Sequence, residues 1–206
     1  MKDTCTRTLL SEMPLEVTAA MLRESLDRLP SWRRTEAEAY RQPIDRLQSA
    51  TAYRLLCQLL SEATGREETS PLFAYTSEGK PYLREYPNLH FNMSHCRKAV
   101  MCMLGNEPVG CDVEEIPTET DKDVMPLCFS QEERQRIEGA ESPTVEFTRL
   151  WTQKEALAKL HGTGLADDIP HMLATPEAKE AEFHTTVCLE RGYVYTTCRR
   201  KVKSIE

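Results

Sequence analysis

The sequence predicts an α+β chain of two similar halves. Two observations carry that expectation. Segments with helical apolar spacing are followed by strand-like segments, and this order occurs twice, once on each side of about residue 100. A length of 206 residues accommodates two small α+β halves, here placed at 1–100 and 101–206.

The elements follow in order. Ala20, Met21, Leu26 and Leu29 fall at helical spacing from Thr18, and Pro30 ends that helix. A second helix starts near Pro43–Asp45 and stops at Gly65, with Leu47, Ala50, Leu55, Leu59 and Leu60 as its apolar positions. The stretch "PLFAYTSEGKPYL" puts turn chemistry at Glu78–Gly79 between strand-like runs. A strand is predicted near 89–93. A hairpin follows, from Ala99–Leu104 through the turn Gly105–Pro108 to Val109–Ile116. Residues 117–127 are polar with two prolines and read as a loop. "SQEE" at 130–133 has the form of a capping box. A further helix takes Pro143 into its first turn, runs to Leu160, and breaks at Gly162 and Gly164. The tail holds two β-like runs, "FHTTVCLE" and "YVYTTCR".

Composition excludes several classes. Hydrophobic residues make up 40% and charged residues 29%, as in an ordinary globular protein. No apolar run reaches the ~18–20 residues of a membrane span. The N-terminus lacks a signal-peptide core, so a cytoplasmic location is expected. Eight cysteines are scattered without a CxxC pair, which predicts free thiols rather than disulfides or a zinc site. A net charge of −7 argues against a nucleic-acid partner. The basic residues do cluster locally, at Arg33, Arg34, Arg41, Arg46 and Arg54 and again in "RRKVK" at 199–203; such a patch suits one anionic ligand or a solvated face.

The chemistry centres on "GCDVEE" at 110–115. Side chains two apart on a strand share a face, so Asp112 and Glu114 point one way, with Cys111 and Val113 opposite. Two carboxylates ~7 Å apart repel unless a cation lies between them, and oxygen ligands of this kind suit Mg²⁺. A solvated strand face carrying two acids is the alternative. Trp151, Glu155 and Lys159 recur at four-residue spacing and share one helix face. That pattern suits either a surface ion pair or a half-buried pair beside a metal. "NMSH" at 92–95 offers a hydroxyl, an imidazole and backbone N–H groups, while "GKP" at 79–81 offers a lysine on a turn.

Taken in order, "GKP", "FNMSH", "GCDVE" and "LWTQKEALAK" resemble the motifs of the 4′-phosphopantetheinyl transferases, in particular the larger surfactin-synthetase-activating type. The likeness covers about residues 79–165 and extends more weakly back to about residue 30; the last ~40 residues carry no such motif. The resemblance implies two pseudo-symmetric halves with the active site between them, and a monomer. It implies an enzyme that moves the 4′-phosphopantetheine arm of coenzyme A onto a serine of an apo acyl or peptidyl carrier protein. That protein would serve fatty acid, polyketide or nonribosomal peptide synthesis, and adenosine 3′,5′-bisphosphate would be released. It further implies Asp112, Glu114 and Glu155 as ligands of Mg²⁺, or of Mn²⁺. Lys159 would lie near the diphosphate, and Glu155, Lys159 or a water on the metal would deprotonate the serine. Lys80, Ser94 and His95 would contact phosphates, and Arg34 and Arg46 the adenine and 3′-phosphate. A coenzyme A diphosphate hydrolase using the same acids, or a non-catalytic coenzyme A or carrier-binding module, are the competing readings. Glu115 departs from the motif, where a basic residue is frequent, and the loop 117–128 diverges near the expected carrier surface.

Overall fold

The structure is a computed structural model that describes residues 6–77, 79–162, 164 and 168–202. The chain divides into two compact units, one ending at Glu107 and the other starting at Pro108.

In the first unit, β1 (Thr6–Glu12) is followed by three helices: α1 (Ala19–Asp27), α2 (Ser31–Glu38) and α3 (Pro43–Thr64). Thr18 caps α1 by accepting from the Met21 amide at 3.2 Å. The long α3 begins with Pro43 in its first turn and ends where Gly65 adopts a left-handed φ of 70°. A small ladder of β2 (Phe73–Tyr75) and β3 (Pro81–Leu83) precedes β4 (His90–Cys96) and β5 (Ala99–Gly105). Gly79 lies in the connection between β2 and β3, and Glu78 lies outside the described residues. The main sheet has the order β1-β5-β4, antiparallel throughout. Leu56, Leu59 and Leu60 of α3 pack on Phe91, Cys102 and Leu104 of that sheet. Trp32, Tyr53 and Phe73 meet edge-on beside them, with centroids 5.6–5.8 Å apart.

In the second unit, β6 (Val109–Glu115) is followed by α4 (Met125–Cys128), α5 (Gln131–Glu138) and α6 (Pro143–His161). A 3₁₀ turn (Ile169–Ala174), α7 (Pro176–Lys179) and the hairpin β7 (Ala181–Cys188)–β8 (Tyr193–Arg200) complete it. Its sheet has the order β6-β8-β7. Each sheet therefore has its first strand at one edge, its last strand in the centre and its penultimate strand at the other edge. The capping box on α5 is present, with Ser130 accepting from the Glu133 amide and the Glu133 carboxylate accepting from the Ser130 amide. Like α3, α6 starts on a proline and ends on a left-handed glycine, Gly162 at φ 75°.

Three expectations need correction. Ala99–Leu104 and Val109–Ile116 do not form a hairpin, because β5 pairs with β1 and β4 while β6 pairs with β8. All seven β5 residues are buried, as suits a central strand flanked on both sides, and the tight turn Arg97–Lys98 already supplies the hairpin partner β4. Since β5 belongs with β1 and β4, the break between units falls after Glu107 rather than at residue 100. The loop at 117–127 turns helical at Met125, after Asp121 accepts hydrogen bonds from the amides of Asp123 and Val124. The seven cysteines among the described residues are free; Cys5 lies outside them. Among the described residues, no helix is long and apolar enough to cross a membrane.

Candidate active site

The site grows from the contact of α6 with β6. Gly110 makes that contact possible. A Cβ there would stand 2.0 Å from the Ala156 carbonyl oxygen and 2.6 Å from the Leu160 amide nitrogen, so the helix backbone occupies the space of a missing side chain. Alternation then puts Asp112 and Glu114 on the same face as Gly110, toward α6. Glu115, opposite Tyr193, lies on the other face.

The expected residues of the second unit come together. Lys159 Nζ donates to Asp112 Oδ1 at 2.6 Å, and Asp112 is only 1% exposed. Glu114 accepts a hydrogen bond from the Trp151 indole and interacts with the charges of Asp112, Lys159 and Glu155. Burial, then Asp112, then Glu155 push the Glu114 carboxyl up to about 7, against the opposing pull of Lys159 and Trp151. Burial and Asp112 likewise raise Glu155, with Lys159 opposing. Burial alone would lower the Lys159 ammonium, but the charge and hydrogen bond of Asp112, with Cys111 and Glu155 behind them, hold it above its ordinary value.

Among the described residues, no three acidic, histidine or cysteine side chains are drawn together in metal-ligating geometry. The donor set nonetheless fits a hard divalent cation. It consists of carboxylate oxygens only, and it places three carboxylates against one ammonium, an excess of negative charge that the raised carboxyls register.

The remaining expected residues lie in the first unit. Lys80 follows Gly79, which has φ 82°, and its amide donates to Thr76 Oγ1 at 3.1 Å. Burial lowers its ammonium below the ordinary value. It also stands near enough to His90 to help burial lower that imidazole. Ser94 and His95 are neighbours on β4 and so point to opposite faces; Ser94 is buried and His95 exposed. Arg34 is held at 2.8 Å by both Glu38 and Asp27 on exposed surface. Arg46 Nε donates to the Tyr40 carbonyl at 2.7 Å.

Other residues of the site had no assigned role in the sequence. A glycine inside a strand pattern was the available signal for Gly110. Lys154, next to Glu155, is fully buried: its ammonium donates to the carbonyls of Ile169 at 2.9 Å and Pro170 at 3.0 Å and pairs with Glu133 at 2.9 Å. These three acceptors match its three N–H groups. Burial lowers its pKa, and Glu133 opposes this. The tail without a motif supplies β8, whose Thr196 stands directly across from Asp112.

Comparison with known proteins shows what the chain is similar to. Residues 108–198, nearly all of the second unit, match the family model described as the 4′-phosphopantetheinyl transferase superfamily. The chain is thus similar to the 4′-phosphopantetheinyl transferases, a class of enzymes, across most of its second unit. Among particular relatives, it is similar to 4′-phosphopantetheinyl transferase psf-1 of Bacillus pumilus, at 29% identity over 84% of this chain and 80% of that protein. It is similar to 4′-phosphopantetheinyl transferase Sfp of Bacillus subtilis (strain 168), at 27% identity over 54% of this chain and 50% of that one. It is also similar to 4′-phosphopantetheinyl transferase AcpT of Salmonella typhimurium, at 29% identity over 61% of this chain and 71% of that one.

Proposed function

We propose that the protein transfers the 4′-phosphopantetheine arm of coenzyme A to a serine of an apo acyl or peptidyl carrier protein, in the cytoplasm and as a monomer. The observation that carries this reading is the cluster of Asp112, Glu114, Glu155 and Lys159 at the β6–α6 contact, within the segment that matches the transferase superfamily. In the reaction, the serine oxygen bonds to the phosphorus that bears the pantetheine arm. The bond from that phosphorus to the bridging oxygen breaks. Adenosine 3′,5′-bisphosphate leaves with the electron pair, and the serine proton passes to a base.

Asp112, Glu114 and Glu155 would hold Mg²⁺, which when bound supplies positive charge against the diphosphate. Lys159 is suited to stand as a cation rather than a base, since its ammonium already donates to Asp112 and is held above its ordinary pKa. Glu155, whose carboxyl is raised by burial, is the better proton acceptor of the two. Trp151 orients Glu114 through its indole N–H. In the same reading, Lys80, Ser94 and His95 contact phosphates, and Arg34 and Arg46 meet the adenine and 3′-phosphate. The last two would exchange their present partners, Glu38 and Asp27 for Arg34 and the Tyr40 carbonyl for Arg46. With a net charge of −7, docking of an acidic carrier would use a local apolar or basic patch rather than the overall field.

The test incubates the full chain with coenzyme A and a panel of apo carrier proteins, with Mg²⁺ or with a chelator. The carrier should gain the mass of one phosphopantetheine arm only with Mg²⁺. Asp112→Asn and Glu155→Gln should each lower the loading rate at least about a hundredfold. Failure to load any carrier at saturating coenzyme A and Mg²⁺ would refute the proposal. Cleavage of coenzyme A without a carrier would support the hydrolase instead.

A further inference from the structure

Beneath the acids lies a chain of side-chain hydroxyls that the reaction does not use. Thr152 on α6 and Thr196 on β8 are both fully buried, with their hydroxyl oxygens 2.8 Å apart. Thr196 is also 2.9 Å from the hydroxyl of Thr185 on β7. At one end, the side-chain amide of Gln153 donates to Thr185 at 3.0 Å. At the other, the Thr152 hydroxyl donates to the Arg149 carbonyl at 3.0 Å.

The two ends fix the direction of every bond, because each hydroxyl has a single proton. Thr152 spends its proton on the Arg149 carbonyl and so accepts from Thr196. Thr196 then accepts from Thr185, and Thr185 from the Gln153 amide. Hydrogen bonds therefore run one way from an obligate donor to an obligate acceptor, crossing from α6 to β7, through β8 and back to α6.

The location gives this chain a consequence. Asp112, Thr196 and Thr185 form one row across β6, β8 and β7. Thr152 precedes Glu155 by three residues and Lys159 by seven, on one helix face. Helix α6 is thus fastened at Thr152, and it is seated on Gly110 at Ala156 and Leu160. Glu155 lies between the two fastenings. A hydroxyl link has a preferred length and direction, which an apolar contact lacks.

The geometry points to Thr152 and Thr196 as positioning residues that set α6 on its sheet, so that Glu155 and Lys159 meet the Asp112 carboxylate. The inference deepens the reading of the acids as cation ligands and rests on it. Neither threonine touches substrate or the reacting atoms in this assignment.

The test compares the full chain with Thr152→Val, Thr196→Val, Thr152→Ser and Thr196→Ser. Valine keeps the shape and removes the hydroxyl; serine keeps the hydroxyl. The first readout is the dissociation constant for Mn²⁺, from electron paramagnetic resonance of the free ion under conditions where each variant is folded. The second needs no metal. It is the coupling between Asp112 and Lys159, from a double-mutant cycle of Asp112→Asn and Lys159→Met in urea unfolding, run in each threonine background.

The valine variants should weaken Mn²⁺ binding about tenfold and reduce the Asp112–Lys159 coupling to less than half, while the serine variants retain both to within about twofold. If the valine variants unfold more easily yet keep Mn²⁺ affinity and coupling, the threonines merely fill space and the inference is overturned. If the parent chain binds no Mn²⁺, the cation reading fails, and the coupling measurement decides the positioning role by the same criterion.

Discussion

Replacing Gly110 by alanine tests the seat on which the site is built. The added Cβ would lie 2.0 Å from the Ala156 carbonyl oxygen and 2.6 Å from the Leu160 nitrogen. Both are helix backbone atoms, so no rotamer change relieves the clash. Real Cβ contacts are essentially never closer than 3.0 Å, so α6 must retreat from β6 by about 1 Å. The same displacement would stretch the 2.6 Å bond between Lys159 and Asp112 to about 3.6 Å, beyond hydrogen-bonding range. Overpacking of this kind costs about 3 kcal/mol, which lowers a urea midpoint by about 1.5 M for a slope near 2 kcal/mol/M. The two tryptophans fall one in each unit, so Trp151 fluorescence in a Trp32→Phe background reports the second unit separately. Gly139→Ala is the control, since a Cβ there would meet only the Gln135 carbonyl oxygen, at 3.2 Å. Gly110→Ala should lower the midpoint of the second unit and weaken Mn²⁺ binding, and the control should do neither. An unchanged midpoint in Gly110→Ala would refute the close seat.

Two further outcomes follow from buried charge. Lys154→Met should destabilise the second unit by about 3 kcal/mol in the same unfolding assay, because it leaves two carbonyls and Glu133 without the ammonium they share; no loss would mean that water or rotation replaces it. His90 gives a pH dependence in the first unit. Burial and then Lys80 hold its imidazole below the ordinary value, with Glu107 opposing, so below pH 6.5 the unfolded chain binds the proton more readily than the folded one. Stability should be full above pH 6.5 and fall as the pH drops through the depressed pKa, by at most about 1.4 kcal/mol per pH unit from this group. His90→Gln should flatten that part of the urea-midpoint profile, and an identical profile would exclude His90 as its source.

What the sequence disclosed was local. The starts and stops of α3 and α6 are written in Pro43, Gly65, Pro143 and Gly162, and the α5 cap in Ser130 and Glu133. Strand alternation paired Asp112 with Glu114, and helix spacing paired Glu155 with Lys159; the structure brings Lys159 onto Asp112. Long-range pairing was not legible. Two apolar runs joined by Gly105–Pro108 look like a hairpin, and only the competition of β1 and β4 for β5 shows otherwise. Helix α2, "SWRRTEAE", offers little apolar periodicity, because Ala37 is its buried residue and Trp32 packs partly buried against the same cluster. Adjacent in sequence, Lys154 and Glu155 separate into a sealed structural charge and a half-buried candidate ligand, and that difference depends on Glu133 and the 3₁₀ turn, which no spacing rule links to α6.

The shared strand order gives the molecule an internal reference. The middle residue of seven-residue β1 is Leu9, paired with Cys102 on the central strand; the middle residue of seven-residue β6 is Asp112, paired with Thr196. The same architectural position is thus filled once by an apolar pair and once by a polar one. Packing alone does not demand an acid there, because the first unit builds its sheet without one. Asp112 and Thr196 are therefore additions to a scaffold whose plain version is carried in the same chain, and exchanging the two pairs would separate what the fold needs from what the chemistry needs.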